Sequence, residues 1–210
     1  MIRILIADDH AVVRRGLRQI LAGETDITVA GEASCATQVV EHLRSHPVDL
    51  LLLDMAMPSK HGLELLKELK AEFPRLAVLV LSMYPADQFG VRALRAGAAG
   101  YLTKDSEPEE MLKAVRKAAS GRKYITAELA ESLEMELRQG LDRPLHEHLS
   151  DREFEVFRLI ASGKTVSQIA DELMLSVKTV SNYRTRALSK ANMKTNADVM
   201  SYGFKNGLVQ

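Results

Sequence analysis

The chain has 210 residues, of which 28 are basic and 28 acidic, so it can form one large or two small domains and its net charge indicates no particular partner. A single cysteine, Cys35, excludes an internal disulfide framework and is typical of a reducing compartment. No apolar run approaches the roughly 18 residues of a membrane span, and the start MIRILIADDH is unlike a signal peptide. We therefore expect a cytoplasmic protein.

Up to about residue 121, short apolar runs alternate with amphipathic helical patterns. This alternation predicts an α/β fold, a doubly wound five-stranded parallel sheet with helices on both faces. The run LLLL at 50–53 is typical of a strand buried on both faces. In the first helix, Val12 and Leu17 are expected to face the sheet. The predicted strands are 2–7, 27–33, 48–53, 76–81 and 100–103, and the predicted helices are 11–22, 36–45, 62–73, 86–96 and 107–120.

Polar side chains follow several of these strands at the point where each strand ends. They are Asp8 and Asp9 after the first strand, Asp54 after the third, Ser82 after the fourth and Lys104 after the fifth. In a parallel sheet these ends meet at one edge, where α/β proteins bind ligands. Three carboxylates there require a cation, and hard oxygen ligands with open positions suit Mg²⁺. The set predicts a site that places a phosphoryl group on Asp54.

Each of these residues also has a plain structural interpretation. Asp8 and Asp9 could cap the following helix, which would be the better interpretation if they stood alone. Asp54 could cap its loop, and Ser82 and Lys104 could be ordinary surface residues. Their joint placement at one sheet edge favours the phosphoryl site.

Four motifs occur in this half, and their spacing taken together is highly specific: DDH at 8–10, DMAMP at 54–58 followed by Gly62, LSMY at 81–84 and AGAAGYLTK at 96–104. Together they resemble the receiver domain of two-component response regulators, over residues 1 to about 121. The resemblance implies that Asp54 accepts a phosphoryl group from a phosphohistidine of a sensor histidine kinase. It also implies a Mg²⁺ site formed by Asp8, Asp9, Asp54 and the backbone carbonyl of Ala56.

The same resemblance implies roles for three further residues. Lys104 would contact the phosphoryl group, and Ser82 and Tyr101 would form a switch pair, a hydroxyl that moves to the phosphate and an aromatic ring that turns inward. Tyr101 could instead be a half-buried strand aromatic without a switching role. Asp105 stands where receivers commonly have proline. In this respect the sequence resembles a subgroup of receivers that are joined to a particular type of DNA-binding domain.

Residues 122–148 do not continue the alternation of apolar runs and helical patterns seen before them, and they are predicted to be a linker. Residues 125–140 have Leu129, Leu133 and Leu137 at a spacing of four, which predicts one acidic helix with a narrow apolar stripe. A solvated connector is favoured over a helix that packs on another domain or subunit. Residues 141–148 contain Pro144 and no periodicity, which predicts a loop.

Residues 149–210 are predicted to form an all-α domain of four helices with a helix-turn-helix. The sequence S-x-x-E at 150–153 is a capping box before the first of them. Short helices on either side of the turn at 174–176 form the helix-turn-helix. The predicted helices are 151–162, 166–173, 177–191 and 196–205.

Charge distinguishes this domain from a plain helix bundle. From residue 149 on there are nine basic and six acidic residues, and 176–194 contains five cations and no acid. A helix with one sign of charge is typical of phosphate contacts, and its amino-terminal part would enter the major groove. Val177, Val180 and Leu188 are expected in the core. The candidate DNA-binding residues are Lys178, Thr179, Ser181, Asn182, Tyr183, Arg184, Arg186, Lys190 and Lys194.

Three segments carry a second resemblance: LSDREFEV at 149–156, LIASGKTVSQIADEL at 159–173 and LSVKTVSNYRTRALSKANMKTNAD at 175–198. They resemble the LuxR-type helix-turn-helix of the NarL/FixJ subfamily, over 149–210. The resemblance implies that Lys178, Thr179, Asn182 and Arg186 face DNA, and that the helix at 196–205 can pair subunits. TVSQIA at 165–170 and Tyr183-Arg184 depart from the family's usual residues.

The whole sequence therefore predicts a non-enzymatic transcription regulator of a two-component system. A sensor histidine kinase would phosphorylate Asp54 with Mg²⁺, and phosphorylation would control homodimerisation and binding to promoter DNA. Two alternatives are a DNA-binding scaffold that is never phosphorylated and a Mg²⁺-dependent phosphotransferase. The complete acid set argues against the first, and the lack of a recognisable substrate pocket or separate acid/base group argues against the second.

Overall fold

The computed structural model describes residues 1–57, 62–139 and 144–209. It contains two compact units, Met1–Met135 and Glu136–Gln210, and their division falls inside the predicted linker. Pro58 and residues 141–143 of the predicted loop lie outside the described residues. Within the described ranges, no helix has both the length and the apolar character needed to cross a bilayer.

The first unit is a five-stranded, all-parallel sheet with the strand order β2-β1-β3-β4-β5, as the alternating sequence pattern predicts. Its strands are β1 (Ile2–Ala7), β2 (Ile27–Ala33), β3 (Leu50–Asp54), β4 (Ala77–Ser82) and β5 (Gly100–Thr103). Its helices are α1 (Ala11–Ala22), α2 (Ala36–Ser45), α3 (Gly62–Glu72), α4 (Ala86–Arg95) and α5 (Pro108–Ala119). Helix α6 (Ala127–Gln139) begins in this unit and continues past its last residue, Met135.

Strand β3 forms the centre of the sheet, and every one of its residues is buried. It pairs with β1 on one side, with Ala7 opposite Leu53, and with β4 on the other, with Asp54 opposite Leu81. This register brings the carboxyl ends of the three strands to the same level. Because Asp54 is the last residue of β3, its carboxyl group lies at the edge where the other strand-end residues meet.

Two expectations about this unit are wrong, the inward placement of Val12 and the interpretation of residues 125–140 as a solvated connector. Val12 does not face the sheet and is 85% exposed. Leu129 is fully buried, so α6 is not simply a solvated connector. A Cβ atom built on Gly90 of α4 would lie 2.7 Å from Leu129 Cδ1, so the missing side chain of this glycine makes the space for the leucine. The side chain of Leu137 lies outside the described part of α6.

The second unit contains α7 (Asp151–Ala161), α8 (Val166–Glu172), α9 (Val177–Lys190) and α10 (Asn196–Lys205). Capping boxes start three of these helices, formed by Ser150 with Glu153, by Thr165 with Gln168 and by Thr195 with Asp198. Each box satisfies backbone N–H groups that have no partner inside the helix. Leu145–His148 forms a short 3₁₀ turn rather than the predicted irregular loop, and the His146 ring contacts the Tyr202 hydroxyl at 3.0 Å.

Candidate functional site

The strand-end residues of the first unit meet in one cluster. Lys104 Nζ lies 2.7 Å from Asp8 Oδ2 and 2.9 Å from Asp54 Oδ2, and all three side chains are more than nine-tenths buried. The backbone N–H of Lys104 donates to the Ser82 carbonyl at 2.8 Å, which holds the lysine backbone against the end of β4. The cation therefore bridges two carboxylates that would otherwise repel each other in a poorly solvated site.

Burial and charge act in opposite directions on these groups. Burial raises the pKa of the Asp54 carboxyl, and the nearby Lys104 ammonium reverses only part of that shift. Burial alone would lower the pKa of Lys104, but the carboxylates of Asp8 and Asp54 outweigh it and raise that pKa. Lys104 therefore keeps its charge at neutral pH, and Asp54 is a carboxylate with little water around it, which favours nucleophilic attack.

The remaining predicted residues of this edge lie next to the cluster. Asp54 Oδ1 accepts a hydrogen bond from the Ala56 N–H at 3.2 Å. Ser82 is buried, and its Oγ accepts from the Tyr84 N–H at 3.1 Å. Tyr101 is fully buried rather than half-buried, and its hydroxyl donates to the Tyr84 carbonyl at 2.8 Å. Ser82 and Tyr101 thus contact the same residue from two strands.

The acidic cluster fits a divalent cation such as Mg²⁺. Ligand atoms of Asp8, Asp9, His10 and Asp54 all lie within 4.8 Å of one another. One buried oxygen on each of the three aspartates (Asp8 Oδ2, Asp9 Oδ1 and Asp54 Oδ2) accepts no well-directed hydrogen bond in the described part of the chain. Their contacts are instead the ion pairs with Lys104 and the approach of His10. Oxygens of this kind are what a hard cation coordinates.

The helix-turn-helix of the second unit consists of α8, a turn and α9. Met174 in the turn adopts a positive φ of 52°, and the Ser176 side chain caps α9 by accepting from the Thr179 N–H. Helix α9 buries Val180, Ala187 and Leu188 and turns its other side outward. Five of its exposed residues repeat at helical spacing and form what we call the exposed strip of α9: Lys178, Asn182, Thr185, Arg186 and Ser189.

The predicted DNA-binding residues fall into two groups. Lys178, Asn182 and Arg186 lie on the exposed strip, and Lys194 is exposed just beyond the end of α9. The others are partly buried or have partners inside the domain. Ser181 and Tyr183 are partly buried, and Thr179 Oγ1 lies 2.7 Å from Ser176 Oγ. Arg184 Nε donates to Asn196 Oδ1, and Lys190 Nζ contacts the buried Glu153 carboxylate at 2.6 Å.

One residue of α9 lies elsewhere than predicted, and two residues of its exposed strip were not predicted. Val177 was expected in the core and is 52% exposed. Thr185 and Ser189 belong to the exposed strip but did not stand out in the sequence, because they are small and uncharged. Their spacing of three and seven residues from Asn182 is the signal that could have found them.

Comparison with protein-family models decides the family. Residues 4–116 match the response regulator receiver domain, and residues 147–202 match the bacterial regulatory proteins of the LuxR family. The chain belongs to the response regulator family. Similar relatives include the response regulator UvrY of Escherichia coli K12, which is 34% identical over 99% of this chain and 96% of its own length. The response regulator GacA of Pseudomonas aeruginosa is 35% identical over 100% of this chain and 98% of its own length.

Solved structures give the same relationship. RcsB of Salmonella enterica serovar Typhimurium, bound to the promoter P1flhDC in the presence of the phosphomimetic BeF3⁻, is 29% identical to this response regulator and superposes with a TM-score of 0.66. The match covers 96% of this chain and 97% of that one. The fold resemblance therefore extends over both units, each with its own domain type.

Gly62, the first residue of α3 in this response regulator, is expected to be intolerant of any side chain. A Cβ there would lie 2.6 Å from Met55 Cα and 3.1 Å from the Asp54 carbonyl oxygen, both backbone atoms. Gly62→Ala should therefore displace the end of β3 and lower the free energy of unfolding by about 1–3 kcal/mol. Urea unfolding checks this, with Gly16→Ala as the control. No atom would come within 4 Å of a Cβ on Gly16, so alanine there should raise stability by about 0.5–1 kcal/mol.

Two aspartates of the receiver are expected to affect stability in opposite directions. Arg3 forms two side-chain hydrogen bonds with Asp49 and lowers the pKa of its carboxyl to about 2. Asp49→Asn should cost about 1 kcal/mol at pH 7, because solvent screens this half-exposed pair. Asp54 has a raised pKa, so its charge destabilises the fold at neutral pH, and Asp54→Asn should stabilise the receiver by on the order of 1 kcal/mol.

The pH dependence distinguishes the two aspartates further. The contribution of Asp49 is complete above the unfolded pKa of about 4 and disappears as the pH falls through about 2. The penalty from Asp54 appears only as the pH rises through its raised pKa. Urea unfolding of the wild type and both variants between pH 2 and pH 8 measures both effects. A loss of stability in Asp54→Asn at pH 7 would contradict the assignment of Asp54 as the poorly solvated carboxylate.

Proposed function

We propose that this protein is a phosphorylation-dependent, DNA-binding transcription regulator in which Asp54 is the phosphoacceptor. The observation that carries the proposal is the placement of the Lys104 ammonium between the carboxylates of Asp8 and Asp54, at the sheet edge where β1, β3 and β5 end. A nucleophilic carboxylate, a fixed cation beside it and further carboxylates for a metal are the parts that phosphoryl transfer requires.

In the proposed reaction an Asp54 carboxylate oxygen attacks the phosphorus of a phosphohistidine on a sensor histidine kinase. A P–O bond to Asp54 forms while the P–N bond to the histidine breaks, and the imidazole leaves with the bonding electron pair. Lys104 offsets negative charge on the transferred group, and the Ser82 hydroxyl is a neighbouring donor for one of its oxygens. Asp8, Asp9, Asp54 and the Ala56 carbonyl would hold Mg²⁺, which would supply charge neutralisation to the transferring phosphoryl group.

Ser82 and Tyr101 are proposed to report phosphorylation to the rest of the receiver. The Ser82 Oγ and the Tyr101 hydroxyl both bond to backbone atoms of Tyr84, at 3.1 and 2.8 Å. A serine that turns toward a phosphoryl group gives up its bond to the Tyr84 N–H, and this frees the segment that also accepts the tyrosine hydroxyl. Phosphorylation would thereby bias a two-state arrangement around Tyr84.

DNA binding is assigned to α9, with its exposed strip in the major groove. Lys178 and Arg186 are cations of this strip for phosphates or guanine edges, and Asn182 offers an amide suited to an adenine edge. We propose Lys194 as a further phosphate contact. The partners found for Arg184 and Lys190 give these two residues roles in holding the domain together.

We further propose that the phosphorylated protein binds as a homodimer. Helix α10 leaves Met200 and Phe204 exposed one turn apart, an apolar pair available to a second copy. Two recognition helices related by a twofold axis would meet half-sites about one helical turn apart.

The test compares DNA binding with and without acetyl phosphate and Mg²⁺, using a duplex selected by the phosphorylated protein from a randomised library. We expect phosphorylation to tighten binding about tenfold or more in the wild type and to leave Asp54→Ala unchanged. Analytical centrifugation of the same samples should show two protein chains on each duplex. Equal DNA affinity in phosphorylated and unphosphorylated wild type would instead support a DNA-binding scaffold whose receiver has no regulatory role.

A further inference from the structure

His10 lies beside the acidic cluster, at the start of α1. It is the N-cap residue of α1, yet its imidazole makes no capping hydrogen bond. Its backbone N–H donates to Asp8 Oδ1 at 2.8 Å, which turns the residue back toward the carboxylates. The side chain is 63% exposed, so the ring can meet an ion that enters from solvent.

The ring nitrogen of His10 lies close to two of the carboxylates that would hold the ion. His10 Nδ1 lies 2.6 Å from Asp9 Oδ1 and 3.4 Å from Asp8 Oδ1. Neighbouring ligands of an octahedral ion with bonds of about 2.1 Å are about 3 Å apart. The Asp9 Oδ1 atom is buried and accepts no well-directed hydrogen bond from any described residue, His10 included. A ring nitrogen of His10 and one carboxylate oxygen each of Asp8, Asp9 and Asp54 lie within 4.8 Å of one another, so a single ion could contact all four side chains.

We propose that His10 is a nitrogen ligand of the ion held by Asp8, Asp9 and Asp54, and that the site therefore takes a divalent first-row transition ion such as Mn²⁺. The inference rests on the proposed function and adds a fourth side chain to its metal site. Mg²⁺ favours oxygen ligands and water, whereas imidazole suits the transition ions, whose affinity for nitrogen is greater. His10 would thus widen the range of metals with which this receiver can be phosphorylated.

The experiment measures Mn²⁺ binding to the full-length protein by electron paramagnetic resonance. It uses the wild type, His10→Ala and the control His148→Ala, which removes an exposed imidazole from the second unit. We expect His10→Ala to weaken Mn²⁺ binding about tenfold and Mg²⁺ binding, measured by competition, less than threefold, while His148→Ala changes neither. Electron spin echo modulation should show one directly bound nitrogen in the wild type and none in His10→Ala.

The outcomes separate this inference from the proposed function. Mn²⁺ bound without nitrogen coupling, or with equal affinity in wild type and His10→Ala, would overturn the role of His10. Phosphorylation of Asp54 in the wild type with Mg²⁺ would remain intact in that case. If the wild type took up no phosphoryl group with either metal, the proposed function would fail, whatever the ligand set of the bound Mn²⁺. Circular dichroism of His10→Ala checks that the receiver is folded.

Discussion

The double variant Lys178→Ala/Arg186→Ala is expected to bind duplex DNA about 100-fold more weakly than the wild type, because removing each cation from the DNA interface costs about 1–3 kcal/mol. Both side chains are exposed on one strip of α9, and neither forms a hydrogen bond or ion pair with another described residue. Their removal should therefore leave the unfolding midpoint of the domain unchanged. The slope of log affinity against log salt concentration should fall by about one for each phosphate that no longer meets a cation.

Two control variants test whether position on α9 matters or only charge. Arg75→Ala removes an exposed cation from the receiver and should change DNA affinity little. Lys190→Ala removes a cation from α9 itself, but one that contacts the buried carboxylate of Glu153. It should lower the stability of the domain, since the glutamate is left without its cation. Equal loss of affinity in all three variants would show that the exposed strip is not the DNA-binding surface.

Lys104→Met is expected to lower the free energy of unfolding of the receiver by about 3 kcal/mol at neutral pH. The lysine contacts two buried carboxylates, those of Asp8 and Asp54, and breaking a buried ion pair leaves uncompensated charge in a poorly solvated site. Adding Mg²⁺ should recover part of the loss, because an ion that binds the folded form alone stabilises it. Urea unfolding in EDTA and in excess Mg²⁺ provides both measurements.

Arg44→Met is the matched control for this prediction. Arg44 also pairs with a carboxylate, that of Glu72, but the two side chains are 62% and 43% exposed. Its loss should cost less than about 1 kcal/mol and be insensitive to Mg²⁺. Adding Asp54→Asn to Lys104→Met should recover part of the lost stability, since one of the two uncompensated charges is then gone. Equal costs for Lys104→Met and Arg44→Met would contradict the role of Lys104 as the cation of the site.

The meeting of Asp8, Asp54 and Lys104 could be predicted because it depends on topology alone. A parallel sheet brings the carboxyl ends of its strands to one edge, and continuous apolar runs identify the buried strands. The insertion of Lys104 between Asp8 and Asp54 could not be predicted, because it depends on side-chain conformation and on the register of β1, β3, β4 and β5. The same holds for Tyr101, whose side chain is fully buried with its hydroxyl donating to the Tyr84 carbonyl.

The two misplaced valines have a common physical cause. Val12 and Val177 both lie in the first turn of a helix, on a pattern that elsewhere marks the buried face. Side chains of a helix tilt toward its amino terminus, so those of the first turn can project past the surface that covers the rest of the helix. Leu129, in contrast, is buried although a solvated helix was expected. Its burial depends on a space above Gly90, and periodicity within α6 carries no information about another helix.

Intact mass spectrometry tests most directly whether Asp54 carries the phosphoryl group. The wild type and Asp54→Ala are incubated with acetyl phosphate, each with Mg²⁺ and with EDTA. We predict a gain of one phosphoryl group in the wild type with Mg²⁺, stable in acid and lost in base as expected of an acyl phosphate, and no gain in the other three samples. An equal gain in Asp54→Ala, or none in the wild type with Mg²⁺, would contradict the assignment of Asp54 as the phosphoacceptor.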